Sequence, residues 1–152
     1  MTMRADPGTY AIVLHCRSGG EVPHGRRGHL AVDPGYYIYV GSAFGPGGVK
    51  ARVSRHLRES KKRHWHIDYL REQATPVCVW CSYAPTHREH EWAQAVSGMH
   101  GNFPVTGFGC SDCGCDTHLF AMAGMPEFAQ FSVAVGGAAE VWRNYAVQPE
   151  VL

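Results

Sequence analysis

Two runs of sequence decide the fold, TYAIVLHC at residues 9–16 and YYIYV at residues 36–40. The first run is rich in β-formers and apolar at both alternating sets of positions, which is typical of a central strand covered on both faces. The second run follows a turn signal, Asp-Pro-Gly at 33–35, and ends at Gly41. We therefore predict that both runs are strands of one sheet.

The segment after the second strand predicts a helix over residues 49–59. Its apolar residues recur at every fourth position, which places them on one face toward the core. Arg52 and His56 lie four residues apart on the neighbouring stripe, so we expect both side chains at the rim of the sheet. The inward-facing positions are Val49, Val53 and Leu57.

The rest of the chain adds one strong strand and two helical patterns. Residues 77–83 predict a third strand, and residues 86–99 and 127–135 predict helices, the latter a loose one. Residues 64–70 fit either a helix or a strand, and residues 29–32 fit a short strand. This order indicates an α+β fold, in which a small, mainly antiparallel three-stranded sheet is flanked by helices and followed by an irregular, Cys-rich C-terminal segment.

Length and composition are those of one globular domain. The 152 residues are 45% hydrophobic, enough to bury a core without disulfide bonds. No apolar run approaches the roughly 20 residues that span a bilayer. Residues 1–9 contain no hydrophobic block of the signal-peptide kind. We therefore predict a cytoplasmic protein with no membrane partner.

Positive charge is concentrated in one stretch. The formal net charge is only +1, whereas residues 50–63 carry seven Lys or Arg and one Glu. Such a stretch can neutralise several phosphates of a nucleic acid. The solvated face of a helix explains it equally well.

Short motifs occur in the order found in one enzyme family. They are GTY at 8–10, YVG at 39–41, Arg52-x-x-x-His56 on the next helix and Glu91 on a later one. These motifs resemble those of the GIY-YIG nucleases. The longer runs GYYIYVGSA, KRHWHIDYL and GFGCSDCGCDTHLF are similar to the small Uri-type branch of that superfamily.

The resemblance implies both an architecture and an activity. It covers residues 8 to about 120, which would form the core of a single GIY-YIG-like nuclease domain over 1–152, with 121–152 as a C-terminal extension. The implied activity is a metal-dependent endonuclease that hydrolyses phosphodiester bonds in DNA. Its cofactor would be Mg²⁺ or Mn²⁺ and its partner a nucleic acid, with DNA expected and no obligate protein partner evident.

The resemblance also assigns catalytic roles. Tyr10 would orient or deprotonate the attacking water, and Tyr39 would approach Tyr10 across the sheet. A phenol with a pKa near 10 is a poor base, so a cation must lower that pKa, and Arg52 would do so while holding the phosphate. His56 would be a second acid or base, a phosphate contact, or a satisfied histidine at the helix edge. On pattern alone, the tyrosines are also explained as aromatic residues of the sheet.

Two carboxylates compete for the metal ion. Hard cations prefer carboxylate oxygen and keep several waters, so Glu91 would hold the ion together with the scissile phosphate. The rival is Glu89, but the sequence Thr-His-Arg-Glu at 86–89 fits a capping box, which gives Glu89 a structural task. We therefore predict Glu91 as the metal ligand.

Contacts to nucleic acid are expected from the basic stretch and from the histidines that follow it. Phosphate contacts carry no sequence information, so we expect weak sequence specificity. The expected contact residues are Lys50, Arg55, Lys61, Lys62, Arg63, His64 and His66.

The cysteines form two groups with different interpretations. Cys113, Cys115 and His118 crowd into a short run and are suited to a structural Zn²⁺ ion. The C-x-C-x-x-H spacing is unusual for zinc, and free thiols beside a hydrogen-bonded histidine explain it as well. Cys78 and Cys81 lie three apart in a predicted strand and therefore point to opposite faces, so we predict core packing for them.

Two other functions fit parts of the sequence. A catalytically weak nucleic-acid-binding or adaptor module would bind in a salt-dependent way without metal-dependent cleavage. A thiol redox or zinc-carrier protein would depend only on the run at 110–118.

Overall fold

The chain forms a six-stranded sheet, a separate two-stranded ribbon and three helices within the part that the structure describes. That part of the computed structural model comprises residues 3–17, 19–23, 29–57, 70, 74–84, 86–99, 102–104, 118–137 and 139–142. Among the helices of these segments, none has the length and apolarity needed to cross a membrane.

The strands are β1 (Gly8–Cys16), β2 (Gly20–Pro23), β3 (His29–Val32), β4 (Gly35–Ala43), β5 (Thr75–Ser82), β6 (Asn102–Pro104), β7 (Leu119–Met122) and β8 (Glu140–Trp142). The strands of the large sheet are antiparallel at every described pairing, in the order β6-β7-β4-β1-β5-β8. The helices are α1 (Gly48–Leu57), α2 (Glu89–Ser97) and α3 (Phe128–Ala134).

The predicted α+β class is confirmed, and the sheet is larger than the three strands that were predicted. The predicted strands at 9–16, 36–40 and 77–83 are β1, β4 and β5, and β6, β7 and β8 extend the sheet on both sides. Each added strand has only three or four residues, too few for a periodic pattern to show in the sequence. The strand predicted at 29–32 is β3, which pairs with β2 outside the main sheet.

The helices match their predictions with shifted ends. In α1, Val49 and Val53 are buried and Leu57 packs against them, as predicted. Helix α2 begins at residue 89 rather than 86, and α3 lies inside the predicted range. The ambiguous segment at 64–70 falls outside the described residues except for its last one.

The sheet carries an apolar layer on each face, and β1 is buried between the two layers. On one face Tyr10, Ile12 and Leu14 pack in the same cluster as α1. On the other face, Ala11 and Val13 belong to the cluster that includes α2 and α3. The prediction of a central strand covered on both sides is therefore confirmed.

The cysteines of β5 divide between the same two layers. Cys81 packs with the α1 cluster and Cys78 with the α2 and α3 cluster. Both are buried, and neither forms a disulfide bond. The predicted core packing of this pair on opposite faces is confirmed.

Stacked aromatic rings hold α2 and α3 on the sheet. The ring of Phe131 on α3 stacks on Trp80 of β5 at 4.6 Å between centroids and meets Trp92 of α2 edge-on at 4.8 Å. All three residues are buried. Since such pairs contribute beyond their buried area, this cluster fixes where the start of α2 lies relative to the sheet.

The N-terminal segment fastens the start of α1. The Asp6 and Arg4 carbonyls accept hydrogen bonds from the Val49 and Lys50 amides, each at 3.0 Å. Gly48 has a φ of 59°, and a Cβ there would collide with the carbonyls of this segment. A glycine is therefore required where the two segments cross.

Because of Tyr37, the free energy of unfolding is expected to fall at alkaline pH. Burial raises the pKa of Tyr37 to about 12, although its hydroxyl donates to the Asp33 carbonyl at 2.7 Å. The unfolded phenol ionises near pH 10 while the folded one keeps its proton, so this contribution is complete below pH 10 and is lost as pH rises toward about 12. We expect Tyr37→Phe to flatten the fall in unfolding free energy above pH 10 by at most about 1.4 kcal/mol per pH unit. Urea unfolding from pH 8 to 11 measures this, and equal slopes in both proteins would contradict it.

Candidate functional site

A buried hydrogen bond joins β1 to α1. The Tyr10 hydroxyl and His56 Nε2 lie 3.0 Å apart, although 46 residues separate them along the chain. Each residue is only 1% exposed. The periodicity of α1 predicted His56 at the edge of the helix. In the structure His56 is buried, because its side chain faces Tyr10 on β1.

Gly41 provides the space for this contact. Gly41 is the register partner of Tyr10 on β4. A Cβ at position 41 would lie 2.5 Å from Tyr10 Cζ and closer still to its hydroxyl oxygen. The glycine of the YVG motif therefore lets the Tyr10 ring lie across the neighbouring strand toward α1.

Tyr39 lies beside the same pair, as the pairing of the two strands predicts. Its ring meets the His56 ring edge-on, with 6.1 Å between centroids. It is also close enough to Tyr10 to raise the pKa of that phenol. Two tyrosines and one histidine thus share a small buried space.

Arg52 brings a positive charge to this cluster from one turn earlier on α1. Its Nη1 donates to the Ser42 carbonyl at 3.4 Å, which holds the guanidinium at the end of β4. Arg52 is also hydrogen-bonded to Tyr10 and is half-buried, so it lies between the buried pair and the surface.

The pKa of Tyr10 is raised well above its ordinary value, which corrects one expectation. Burial is the main cause and Tyr39 adds to it, while the charge and hydrogen bond of Arg52 act in the opposite direction. Arg52 was expected to make the phenol acidic enough to act as a base. Desolvation outweighs that effect, so Tyr10 keeps its proton at neutral pH.

The capping box predicted for α2 is wrong. The helix begins at Glu89, and its cap residue Arg88 makes no side-chain cap hydrogen bond. Instead, the Arg88 amide donates to the Thr9 hydroxyl oxygen at 3.4 Å, which ties the start of α2 to the start of β1. Glu89 therefore does not have the capping role that the sequence predicted for it.

Glu91, the predicted metal ligand, is directed to Arg88. Its two carboxylate oxygens accept hydrogen bonds from Arg88 at 2.8 and 3.0 Å, and 52% of its side chain is exposed. The bond to Arg88 lowers the pKa of Glu91. The same arginine donates to the Val135 carbonyl at 2.7 Å, so this pair ties α2 to the end of α3.

Glu89 points in another direction, because helix residues two apart face different sides. Its side chain is 21% exposed, and Oε1 lies 3.8 Å from His118 Nδ1. Its charge reaches Tyr10, whose pKa it raises. Of the two competing carboxylates, Glu89 is thus the one whose charge acts on the tyrosine cluster.

His118 lies just before β7, where it is buried and its carbonyl accepts a hydrogen bond from the Val40 amide at 2.9 Å. It was predicted as a zinc ligand together with Cys113 and Cys115. Those two cysteines lie outside the described residues, so the zinc site stays a prediction. What the structure adds is the proximity of His118 to Glu89.

The predicted nucleic-acid contacts are described only in part. Lys50 is exposed at the start of α1, and Arg55 is half-buried near its end. The others lie outside the described residues and stay predictions: Lys61, Lys62, Arg63, His64 and His66.

The side chains near Tyr10 fit a magnesium-type ion better than an ion that needs three or more protein ligands. Within the described segments, no group of three or more His, Cys, Asp or Glu side chains could enclose an ion. A magnesium-type ion needs no such cage, because it keeps several waters and takes one or two carboxylates plus phosphate oxygen. Glu89 fits that requirement.

Sequence reasoning missed the pairing of Glu89 with His118 and the Tyr10–His56 bond. The first depends on how α2 packs on the sheet relative to His118, which lies 29 residues later in the chain, and no local pattern in the sequence encodes that contact. The second had a signal, since Gly41 stands where a β-former would otherwise be expected.

Comparison with known proteins places the chain in a family. No curated protein and no solved structure matches it. A protein family described as "Domain of unknown function DUF123" matches residues 9–138. The match covers nearly all of the described sheet and its helices, and on this basis the chain belongs to the DUF123 family.

Proposed function

We propose that this chain is a metal-dependent endonuclease that hydrolyses phosphodiester bonds in DNA. The single observation that carries the proposal is the cluster where β1 begins and β4 ends, in which a buried tyrosine–histidine hydrogen bond adjoins a half-buried arginine. The motifs that resemble those of the GIY-YIG nucleases contribute all four members of this cluster: Tyr10, Tyr39, Arg52 and His56.

Arg52 binds the scissile phosphate in this proposal. Among the residues around Tyr10 it carries the positive charge and has partial access to solvent. Guanidinium groups bind phosphate oxygens through paired, charge-assisted hydrogen bonds, which strengthen as negative charge grows in the transition state. The bond to the Ser42 carbonyl keeps the group in position.

Tyr10 and His56 activate the attacking water as a relay. Because the pKa of Tyr10 is raised, the phenol cannot act as a preformed phenolate. The water instead gives a proton to the Tyr10 oxygen while the phenol proton moves to His56 Nε2. The water oxygen bonds to phosphorus, the bond to the leaving sugar oxygen breaks, and that oxygen takes a proton from solvent.

Glu89 would hold the divalent cation, and His118 Nδ1 lies 3.8 Å from its Oε1. A bound Mg²⁺ or Mn²⁺ ion supplies charge stabilisation to a phosphoryl group. This assignment replaces Glu91, whose carboxylate is engaged by Arg88.

The experiment that tests this function is a cleavage assay on single- and double-stranded DNA with Mg²⁺ or Mn²⁺. It compares the unaltered chain with Glu89→Gln and Glu91→Gln, which make the same chemical change two residues apart. We expect Glu89→Gln to lower the cleavage rate about 10²-fold or more, because the cation loses its carboxylate. Glu91→Gln should leave the rate within about threefold and lower stability by at most about 1 kcal/mol, since the ion pair is half-exposed.

If Glu91→Gln lowered the cleavage rate more than Glu89→Gln, Glu91 would be the metal ligand. Cleavage that needs metal but survives both substitutions would remove the carboxylate assignment altogether. An absence of metal-dependent cleavage on every substrate would contradict the enzymatic proposal itself.

A second candidate is a nucleic-acid-binding or adaptor module with weak catalysis. The observation that favours it is the 1% exposure of both Tyr10 and His56, which is also what a purely structural hydrogen bond would show. Salt-dependent DNA binding without cleavage would select this alternative.

A further inference from the structure

Phe44 and His87 form a stacked pair of rings at the end of the sheet. Their centroids are 3.8 Å apart and their planes are inclined by 26°. Phe44 is half-buried, whereas His87 is exposed. The stack therefore has an inner ring set against the protein and an outer ring open to solvent.

The stack lies next to the groups that the proposed function uses. Phe44 is two residues beyond Ser42, whose carbonyl holds Arg52, and this spacing is about 7 Å in an extended chain. His87 is two residues before Glu89. The ring pair and Arg52 therefore lie at the same end of the sheet.

We propose that the Phe44–His87 stack is a platform for a nucleobase of the substrate, which makes the preferred substrate a DNA strand with an unpaired base beside the scissile phosphate. This inference rests on the proposed function for the position of the phosphate. Unpaired bases stack on aromatic and histidine rings largely regardless of sequence. A base within a duplex is already paired and stacked, so the platform selects single-stranded or distorted sites.

The test measures binding, so that it does not depend on turnover. Short single-stranded oligonucleotides carry one abasic nucleotide at successive positions, and their affinity for the full chain is measured in EDTA by fluorescence anisotropy. We expect one position at which loss of the base weakens binding about five- to hundredfold. His87→Ala should abolish this dependence because it removes the ring that is open to solvent, Phe44→Leu should weaken it, and Phe44→Trp should preserve it.

The chain contains a matched control at the opposite end of the same strand pair. His15 and Tyr36 form a similar ring pair, with 4.6 Å between centroids. Tyr36→Leu removes a ring of comparable size there and should leave the abasic dependence unchanged. His87→Ala removes the outer ring without altering a buried side chain, so it separates lost stacking from impaired folding.

Two results would overturn the platform: affinity that is the same with and without the base at every position, or an unchanged abasic dependence in Phe44→Leu and His87→Ala. Failure of the two proposals can be told apart. Abasic dependence without any cleavage contradicts the hydrolase and supports the platform, whereas cleavage without abasic dependence does the reverse.

Discussion

Tyr10→Phe is expected to lower the rate of DNA cleavage about 10²- to 10⁴-fold. The substitution removes only the hydroxyl that is hydrogen-bonded to His56 and Arg52. The ring stays, so its packing in the core is kept. Losing the hydroxyl breaks the proton relay and leaves a buried nitrogen of His56 without that contact, which should lower stability by about 1–3 kcal/mol. Single-turnover cleavage at saturating metal and urea unfolding measure the two effects separately.

Tyr37→Phe is the matched control for this prediction. Tyr37 lies on the same face of the sheet, and its register partner is Leu14, four residues or about 13 Å along β1 from Tyr10. It also loses a hydroxyl that makes a hydrogen bond, here to the Asp33 carbonyl. We expect cleavage by Tyr37→Phe within about threefold of the unaltered rate. Equal cleavage by the Tyr10 and Tyr37 variants would show that the Tyr10 hydroxyl takes no part in the reaction.

Gly41→Ala is expected to lower cleavage nearly as much as Tyr10→Phe, although it removes no polar group. The added Cβ would occupy the space of the Tyr10 ring, which must then leave its position beside His56. Forcing an extra carbon into a packed core costs about 1–3 kcal/mol. The cleavage rate and the urea unfolding transition of the variant check both parts of the prediction.

Gly124→Ala provides the control for an added methyl group. A Cβ at Gly124 meets nothing within 4 Å, so neither cleavage nor stability should change appreciably. If Gly41→Ala keeps full activity, Tyr10 must have an alternative productive position, and the role given to the motif glycine would be wrong.

The elements that carry the cluster could be predicted because they are long and periodic. Both β1 and β4 have nine residues, and α1 repeats its apolar positions through three turns. The antiparallel pairing of β1 with β4 brings Tyr10 and Tyr39 together on the same face of the sheet. The edges of the sheet could not be predicted, because three- and four-residue strands are defined by the partner they pair with.

The directions of Glu89 and Glu91 could not be predicted from sequence for a different reason. A capping box at 86–89 was a sound local interpretation, yet tertiary contacts start α2 at Glu89. The Arg88 amide donates a hydrogen bond to Thr9, and its guanidinium donates to Glu91 and to the Val135 carbonyl. Thr86 therefore does not cap the helix. The protonation state of Tyr10 was beyond the sequence as well, because it depends on how completely the ring is buried.

The N-terminal segment at residues 4–6 affects whether the start of α1, after the glycine-rich stretch at 45–48, can bind an anion. Glycine-rich loops that lead into a helix often grip phosphate with their first amides. Here the amides of Gly48, Val49, Lys50 and Ala51 already donate to carbonyls of the chain itself. The positive pole of α1 is thereby closed to anions. In the proposed function, binding of DNA would therefore come from side chains such as Arg52, and the affinity would fall steadily as salt is added.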